Sequence, residues 1–286
     1  MSELDYSLLD AIKSMAGEYQ VEDKSKDYSI NYNINENSED IEILDYIMVF
    51  ICERISSVQR AYKGGYVLMK MYPNTARYSH DIDFSISDKD QYELVKLVLD
   101  ELGNDLINKG VISNYDIKDE IAPTKSGGIK LYRIDKMQLG IDIGLHDLSY
   151  GLSRWSFNGF NLSKFEVERM LSDKISAIFS KKRFRRAKDL YDFFIIYNSC
   201  NVDINKLAEF ISIRGIDWNA TPFREEVTRE YSKAYDKLIL KNIYGKEMVK
   251  PDFDECIRLL NKCIILIREV LFKWYYETSQ QLNYQS

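Results

Sequence analysis

The sequence predicts an α+β protein, in which a mixed sheet flanked by helices is followed by a helical C-terminal domain. Short runs with period-two alternation, such as 81–86 (DIDFSI) and Leu139–Leu145, predict strands in the first half of the chain. Amphipathic helical patterns at 43–58 and 92–106 lie between and before them. From Gly151 the pattern is helical to the end. The chain therefore divides into an N-terminal helix and polar loop (1–40), an α/β core (41–150) and a helical domain (151–286).

The N-terminal segment begins with apolar residues at helical spacing over 4–19, which predict a short amphipathic helix before a polar loop. Ser38, followed by two acidic residues, is typical of an N-cap with acids in the first turn. The helix that it opens is expected to run to about Tyr62 and to end at Gly64-Gly65.

The core then alternates between strand and helix patterns. Residues 66–72 fit either a strand or a helix. After the DIDFSI strand, a helix is expected from Ser87 to about Asn108. A strand at about 115–121 and a hairpin formed by 129–134 and Leu139–Leu145 complete the predicted sheet.

The second half of the chain shows helix signals. Ser163 and Glu166 have the spacing of a capping box and predict a helix that carries Lys174. An apolar helix follows at 187–197. Three more helices are expected at about 203–213, 224–242 and 254–282.

Composition limits the class of protein. The 286 residues are 45% hydrophobic and 29% charged with a net charge of −6, which indicates an ordered globular chain. The four scattered cysteines form no CxxC pair and predict reduced thiols. The N-terminus has no signal-peptide pattern and no window is long and apolar enough to span a membrane, so we expect a cytoplasmic protein.

The stretch Lys181–Lys188 (KKRFRRAK) holds six basic residues in eight, in a protein that is acidic as a whole. Such a run is often a solvated face. It can also bind the phosphate backbone of RNA, with Phe184 available for stacking.

Two aspartates begin the DIDFSI strand. Asp81 and Asp83 are two residues apart and so project from one face, while Ile82 and Phe84 face the other way. Adjacent carboxylates favour a hard divalent cation such as Mg²⁺, which binds through carboxylates and substrate phosphates. An alternating acidic strand at a solvated sheet edge is the other interpretation.

A glycine pair and a third aspartate belong to the same candidate site. Gly64 and Gly65 allow backbone amides to approach phosphate oxygens closely, and Ser79 adds a hydroxyl. Asp142 lies between Ile141 and Ile143 and converges on the pair if its strand is a neighbour. Otherwise Asp142 is an ordinary exposed acid. His80 and His146 match no zinc site or catalytic triad and receive no role.

Two ordered blocks carry a family resemblance. The first is KGG followed by R-x-S-x-D-I-D-F, from Lys63 to Phe84. The second is DKISAIFSKKRFRRAKDLYDFF, which contains Lys174, Asp189 and Asp192. Together, over roughly residues 40–200, they resemble the AbiEii/AbiGii-type nucleotidyltransferases, a family that contains toxins of type IV toxin–antitoxin and phage-abortive systems. The chain departs from the family at Tyr66, where Thr or Ser usually follows the glycines.

The resemblance implies a nucleotidyltransferase fold that uses Mg²⁺ and a nucleoside triphosphate (NTP). On this basis Asp81, Asp83 and Asp142 would be catalytic metal ligands, with Asp142 either a shared ligand or a base. Lys174 would bind the triphosphate, as would the glycine pair and Ser79. Asp189 would orient Lys174 or the acceptor, although salt bridges to nearby arginines explain Asp189 and Asp192 equally well.

The acceptor is left open by the residues themselves. We expect an RNA end, a tRNA acceptor in particular, bound through Lys181–Lys188, and an antitoxin as regulatory partner. A protein or small-molecule acceptor is the first alternative. A nucleotide- or RNA-binding relative without catalysis is the second, and Tyr66 is its main support.

Overall fold

A computed structural model describes residues 33–284, apart from 135, 137, 181–185, 215 and 217–224. The helix predicted at 4–19 and most of the basic run, with Phe184, lie outside the described residues.

The described part of the chain contains eight helices and seven strands. The helices are α1 (Asp40–Arg54), α2 (Gly64–Met71), α3 (Gln91–Asn108), α4 (Val167–Phe179), α5 (Ala187–Ser199), α6 (Ile204–Arg214), α7 (Glu225–Asp236) and α8 (Phe253–Tyr284). The strands are β1 (Arg60–Lys63), β2 (Asp81–Ile86), β3 (Asn114–Lys118), β4 (Gly127–Tyr132), β5 (Leu139–Leu145), β6 (Leu152–Phe157) and β7 (Phe160–Phe165).

All seven strands form one mixed sheet in the order β3-β4-β5-β2-β1-β7-β6. The pairs β2–β5 and β1–β7 are parallel, and the other neighbours are antiparallel. A parallel pair requires a crossover connection, and α3 lies within the one that separates β2 from β5. The predicted α+β fold class is confirmed, and the two aspartate-bearing strands lie at the centre of the sheet.

The first helix is shorter than predicted. It begins at Asp40 after an N-cap at Glu39, whose side chain forms a capping box with Glu42, so Ser38 is not the cap. It ends at Arg54, and the residues expected to continue it form β1 instead. Tyr62 of β1 is fully buried because this strand lies inside the sheet between β2 and β7. Tertiary pairing therefore overrides the helical spacing that continues past residue 54.

The sheet also extends beyond residue 150, so the prediction of continuous helix from Gly151 is wrong. Strands β6 and β7 form a hairpin around Asn158-Gly159, both of which have positive φ (46° and 84°). This dipeptide is a strong hairpin signal, since a tight turn of that hand requires left-handed residues. Ser163 lies in β7 and is not a helix cap; α4 begins only at Val167.

The helices of the C-terminal half pack against one another through apolar faces, with Ile175, Leu190 and Phe193 fully buried. The four cysteines are free thiols, and three of them are buried. Among the helices of the described residues, none has the length and apolarity needed to cross a bilayer.

Candidate active site

The three aspartates lie on two neighbouring central strands. Strand β2 projects Asp81 and Asp83 from one face, and Ile82 and Phe84 are fully buried on the other. Strand β5 is its parallel neighbour, with Asp83 opposite Asp142. The register of β2 and β5 therefore brings the three aspartates together, as the predicted site requires.

A lysine completes the row across the sheet. Lys63 of β1 is the cross-strand partner of Asp83, so Asp142, Asp83 and Lys63 occupy adjacent positions on one face. Lys63 belongs to the family motif, but no role was predicted for it. The KGG motif was the signal that could have identified it.

Burial and like charge shape the electrostatics of this row. Burial, aided by Asp142 and Asp81, raises the pKa of Asp83 to about 6, although Lys63 and Lys174 oppose the shift. The pKa of Asp81 is also raised, by burial and then by Asp142. Burial lowers the pKa of Lys63 despite the nearby carboxylates. Burial, more than like charge, therefore disfavours ionisation of Asp81 and Asp83.

Asp142 is the most accessible of the three carboxylates, with 48% of its side chain exposed, and it forms an ion pair with Lys118. Lys118 also donates a hydrogen bond of 3.2 Å to Ser126 Oγ. Across the described ranges, no three His, Cys, Asp or Glu side chains are grouped closely enough to hold a metal ion as they stand. The three-aspartate metal site therefore stays a prediction. Lys118 had no signal in the sequence.

The glycine turn, Gly64-Gly65, packs directly against the acidic strand. Gly64 has a φ of +77°, and a Cβ there would overlap Asp83 Oδ2 and lie 2.7 Å from its Cγ. A Cβ on Gly65 would lie 2.6 Å from Ser79 Oγ. Only glycine allows the N-terminus of α2, with its free backbone amides, to approach Asp83 and Ser79 this closely.

Gly64→Ala is expected to destabilise the protein more than Gly245→Ala does. Both glycines have positive φ (+77° and +70°), so each alanine carries backbone strain of about 1–2 kcal/mol. At Gly245 nothing lies within 4 Å of the new Cβ, whereas at Gly64 it overlaps Asp83. Urea denaturation should show an additional loss of about 1–3 kcal/mol for Gly64→Ala. Equal losses for both variants would mean that the glycine turn is not packed on Asp83.

Tyr66 does not face this site. Its side chain is fully buried, and its hydroxyl donates a hydrogen bond of 2.6 Å to Asp45 Oδ1. Its ring packs edge-on against Phe157. The residue that departs from the family pattern therefore serves the packing of α2, and Ser79 is the hydroxyl beside the glycine turn.

The helical half contributes a buried ion network. Lys174 of α4 donates to Asp189 Oδ1 at 2.8 Å and to Asp192 Oδ2 at 2.7 Å, both carboxylates being on α5. Arg77, from the loop before β2, binds both oxygens of Asp192 at 2.9 Å. Asp189 also pairs with Arg186 at 2.8 Å. This network joins the two halves of the chain beside the aspartates.

The ion pairs of this network keep Lys174 and Asp192 charged. Burial disfavours charge on Lys174, but Asp192 and Asp189 outweigh it and raise the pKa of the lysine. Burial likewise opposes ionisation of Asp192, yet Arg77 and Lys174 lower its pKa to about 2. Lys174 is therefore a cation held in place by two carboxylates.

The glycine turn, the three aspartates and Lys174 line one cavity of about 200 Å³. The described end of the basic run, Arg186 and Lys188, also lines it. Burial and then Arg77 lower the pKa of Lys188, which shows that cations are crowded here. A cavity with carboxylates on one wall and cations on the other suits a metal-bound polyphosphate.

Comparison with known proteins gives a family match and several similar solved structures. The family model "Nucleotidyl transferase AbiEii toxin, Type IV TA system" matches residues 61–258, more than half of the chain. No curated protein matches. Solved structures that are similar include JHP933 from Helicobacter pylori (15% identity, 87% of this chain, 99% of that chain, TM-score 0.46). MenT4, a nucleotidyltransferase toxin from Mycobacterium tuberculosis, is 18% identical over 66% of this chain and 70% of its own, with a TM-score of 0.42. The match of the family model shows that this chain is a nucleotidyltransferase and belongs to the AbiEii toxin family of type IV toxin–antitoxin systems.

Proposed function

We propose that this protein transfers a nucleoside monophosphate from an NTP to the end of an RNA, a tRNA acceptor end, in a Mg²⁺-dependent reaction. In this proposal it acts in the cytoplasm as a growth-arresting toxin, in a toxin–antitoxin or abortive-infection system, and an antitoxin controls it. The observation that carries the proposal is the single cavity that combines the glycine turn, the aspartates and Lys174.

The donor set at the centre of the cavity fits a hard divalent cation. Asp81, Asp83 and Asp142 offer carboxylate oxygens, and their mutual repulsion contributes to the raised pKa values of Asp81 and Asp83. A cation relieves such repulsion. We assign these three residues to Mg²⁺, which when bound neutralises phosphate charge and aligns the attacking and leaving groups.

The remaining groups would hold the triphosphate. The backbone amides of the glycine turn are hydrogen-bond donors for phosphate oxygens. The hydroxyl of Ser79 donates to the Asp81 carbonyl at 3.2 Å and would bind a phosphate by turning away from it. An ammonium has three N–H donors, and Asp189 and Asp192 take two of those on Lys174. The third is left for a phosphate, which gives Asp189 the role of orienting Lys174.

The reaction is a displacement at the α-phosphorus. The acceptor hydroxyl oxygen forms the new P–O bond, its proton leaves, and the bond to the bridging oxygen breaks so that pyrophosphate departs with the electron pair. Asp142 is half exposed, so it can pass that proton to solvent.

The choice of RNA rests on the basic run. Its described end, Arg186 and Lys188, lines the cavity and places positive charge beside the site, where it can attract an RNA phosphate backbone.

Incubation with each α-labelled NTP, Mg²⁺ and deacylated tRNA tests the proposal. The wild-type protein should label the RNA, and Asp81→Ala with Asp83→Ala should lose the labelling by at least about 1,000-fold. Asp119→Asn, at an exposed position outside the cavity, is the matched control and should label normally. No labelled RNA with any NTP would refute the proposal, as would equal labelling by the double variant. Label in a protein band or a small molecule alone would replace the RNA acceptor.

Tyr66→Phe should leave the affinity for NTP within about twofold of the wild-type value, because the hydroxyl that it removes binds Asp45 outside the cavity. The same change should lower the free energy of unfolding by about 1 kcal/mol through the lost hydrogen bond. Ser79→Ala is the contrasting variant and should weaken NTP binding about 5- to 10-fold. Isothermal titration with a non-hydrolysable NTP measures the NTP affinity of both variants, and urea denaturation measures the free energy of unfolding. The reverse order of effects would place Tyr66, and not Ser79, at the phosphates.

A further inference from the structure

A second cavity, of about 340 Å³, lies beside the first. Its outer wall is the loop 122–126 together with the end of β5 at 143–146. The two cavities share three lining residues, namely Asp83, Asp142 and Lys63. The row formed by Asp142, Asp83 and Lys63 therefore lies between the two cavities, and both cavities contact the same two carboxylates.

We propose that the second cavity binds the terminal nucleotide of the acceptor RNA, with its terminal hydroxyl at Asp142 and Asp83. This inference rests on the function proposed above. The phosphates of the NTP belong with the glycine turn and Lys174 in the first cavity, so pyrophosphate leaves on that side. In a displacement at phosphorus the attacking and leaving oxygens lie roughly in line on opposite sides. The attacking hydroxyl must then come from the other side of the aspartates, which is where the second cavity lies.

The size and lining of the second cavity fit one nucleotide. Its volume is at the lower end of the range of about 300–1,000 Å³ that small-molecule sites occupy. Thr124 and Ser126 supply hydroxyls, and Lys125 supplies an ammonium that pairs with Glu120 at 3.0 Å. All three residues are exposed on the loop, where a polymer end can reach them. The first cavity is lined by more charged residues, among them Arg77, Lys174 and Asp189, all of which are buried.

The inner end of the cavity is shaped by Gly144. A Cβ at this position would lie 2.7 Å from His146 Cε1 and 3.3 Å from Lys63 Nζ. Because no Cβ is present, the imidazole of His146 folds over the strand and Nδ1 lies 3.0 Å from Ser85 Oγ. His146, which the sequence analysis left without a role, becomes a polar wall of the acceptor subsite beside Lys63.

Lys118 links Asp142 to the loop that lines this cavity. It pairs with Asp142 and donates to Ser126 Oγ of the loop, so it ties the third carboxylate to the cavity wall. We assign Lys118 as a positioning residue for the acceptor side.

Two variants of the exposed loop test the proposal without disturbing the core. Thr124→Trp fills the cavity, and Lys125→Glu reverses its charge. Lys246→Glu, at an exposed turn outside both cavities, is the matched control. For each protein we would measure the KM for deacylated tRNA in the labelling assay and, separately, the dissociation constant of a non-hydrolysable NTP. Circular dichroism checks that each variant is folded.

The expected result is a rise of at least 10-fold in the KM for tRNA with both loop variants, with NTP affinity unchanged and Lys246→Glu like the wild type. If both loop variants retain the wild-type KM, the acceptor does not use this cavity, although the proposed function stands. If they weaken NTP binding instead, the cavity holds the incoming nucleotide and the assignment is overturned. Failure of the wild-type protein to label RNA would refute the proposed function itself, and the acceptor assignment with it.

Discussion

Asp83→Asn should reduce nucleotide transfer by at least about 1,000-fold and at the same time make the protein more stable at neutral pH. Asp83 lies between Asp142 and Lys63 across the sheet, and burial, aided by Asp142 and Asp81, raises its pKa to about 6. A neutral amide of the same shape avoids that unfavourable ionisation. The gain at pH 7.5 should be on the order of 1–2 kcal/mol, measured by urea denaturation in EDTA.

The pH dependence of this gain has a definite sign. A carboxyl whose folded pKa is raised stabilises the wild-type protein most when protonated, below about pH 4. As pH rises from about 4 to 6 the unfolded chain releases the proton first, and wild-type stability falls relative to Asp83→Asn. The two proteins should therefore differ least below pH 4 and most above pH 6. A variant that is less stable than the wild type at pH 7.5 would show that Asp83 is a structural ion-pair partner and not a strained ligand.

Lys174→Met should be the most destabilising single change in the site. It leaves two buried carboxylates, Asp189 and Asp192, without the cation between them. Removing one partner of a buried pair typically costs about 3–5 kcal/mol, because the remaining charge is buried without compensation. Arg77 still binds Asp192, so we expect the lower part of this range, together with loss of nucleotide transfer.

Lys206→Met is the matched control, since it breaks an exposed lysine–glutamate pair with Glu166 at 3.4 Å. Its urea midpoint should hardly change, because exposed pairs contribute little. Adding Asp189→Asn to Lys174→Met should recover part of the lost stability, because it removes one of the two buried carboxylates that the lysine neutralised and leaves only the exposed Arg186 without its partner. Equal midpoints for Lys174→Met and Lys206→Met would contradict the buried network.

Local patterns in the sequence were enough to predict some parts of the site. Asp81 and Asp83 share a face because of the two-residue period of a strand. Glycine is required at 64 and 65 because any Cβ would prevent this turn from packing against Asp83 and Ser79. Asp142 was identified because it interrupts an apolar strand. Lys174 and Asp189 came from the family motif, which implied that Asp189 orients Lys174 or the acceptor, and in the structure the two side chains are in contact.

Other features depend on partners that are distant in sequence. Lys63 gains its place beside Asp83 only through the pairing of β1 with β2, and the sequence assigned that segment to a helix. Lys118 reaches Asp142 from an edge strand with no pattern of its own. The β6–β7 hairpin is different, since Asn158-Gly159 was a readable turn signal that the helical pattern of the following residues obscured.

In the proposed function, the glycine turn, the aspartates and Lys174 form one nucleotide site across the two halves of the chain. A crystal structure with a non-hydrolysable NTP and Mn²⁺ would show whether they do, since the anomalous signal locates the metal. We expect the metal at Asp81, Asp83 and Asp142, and the phosphates between Gly64-Gly65 and Lys174. Metal or phosphates bound away from the aspartates, or a triphosphate that does not contact Lys174, would contradict the account.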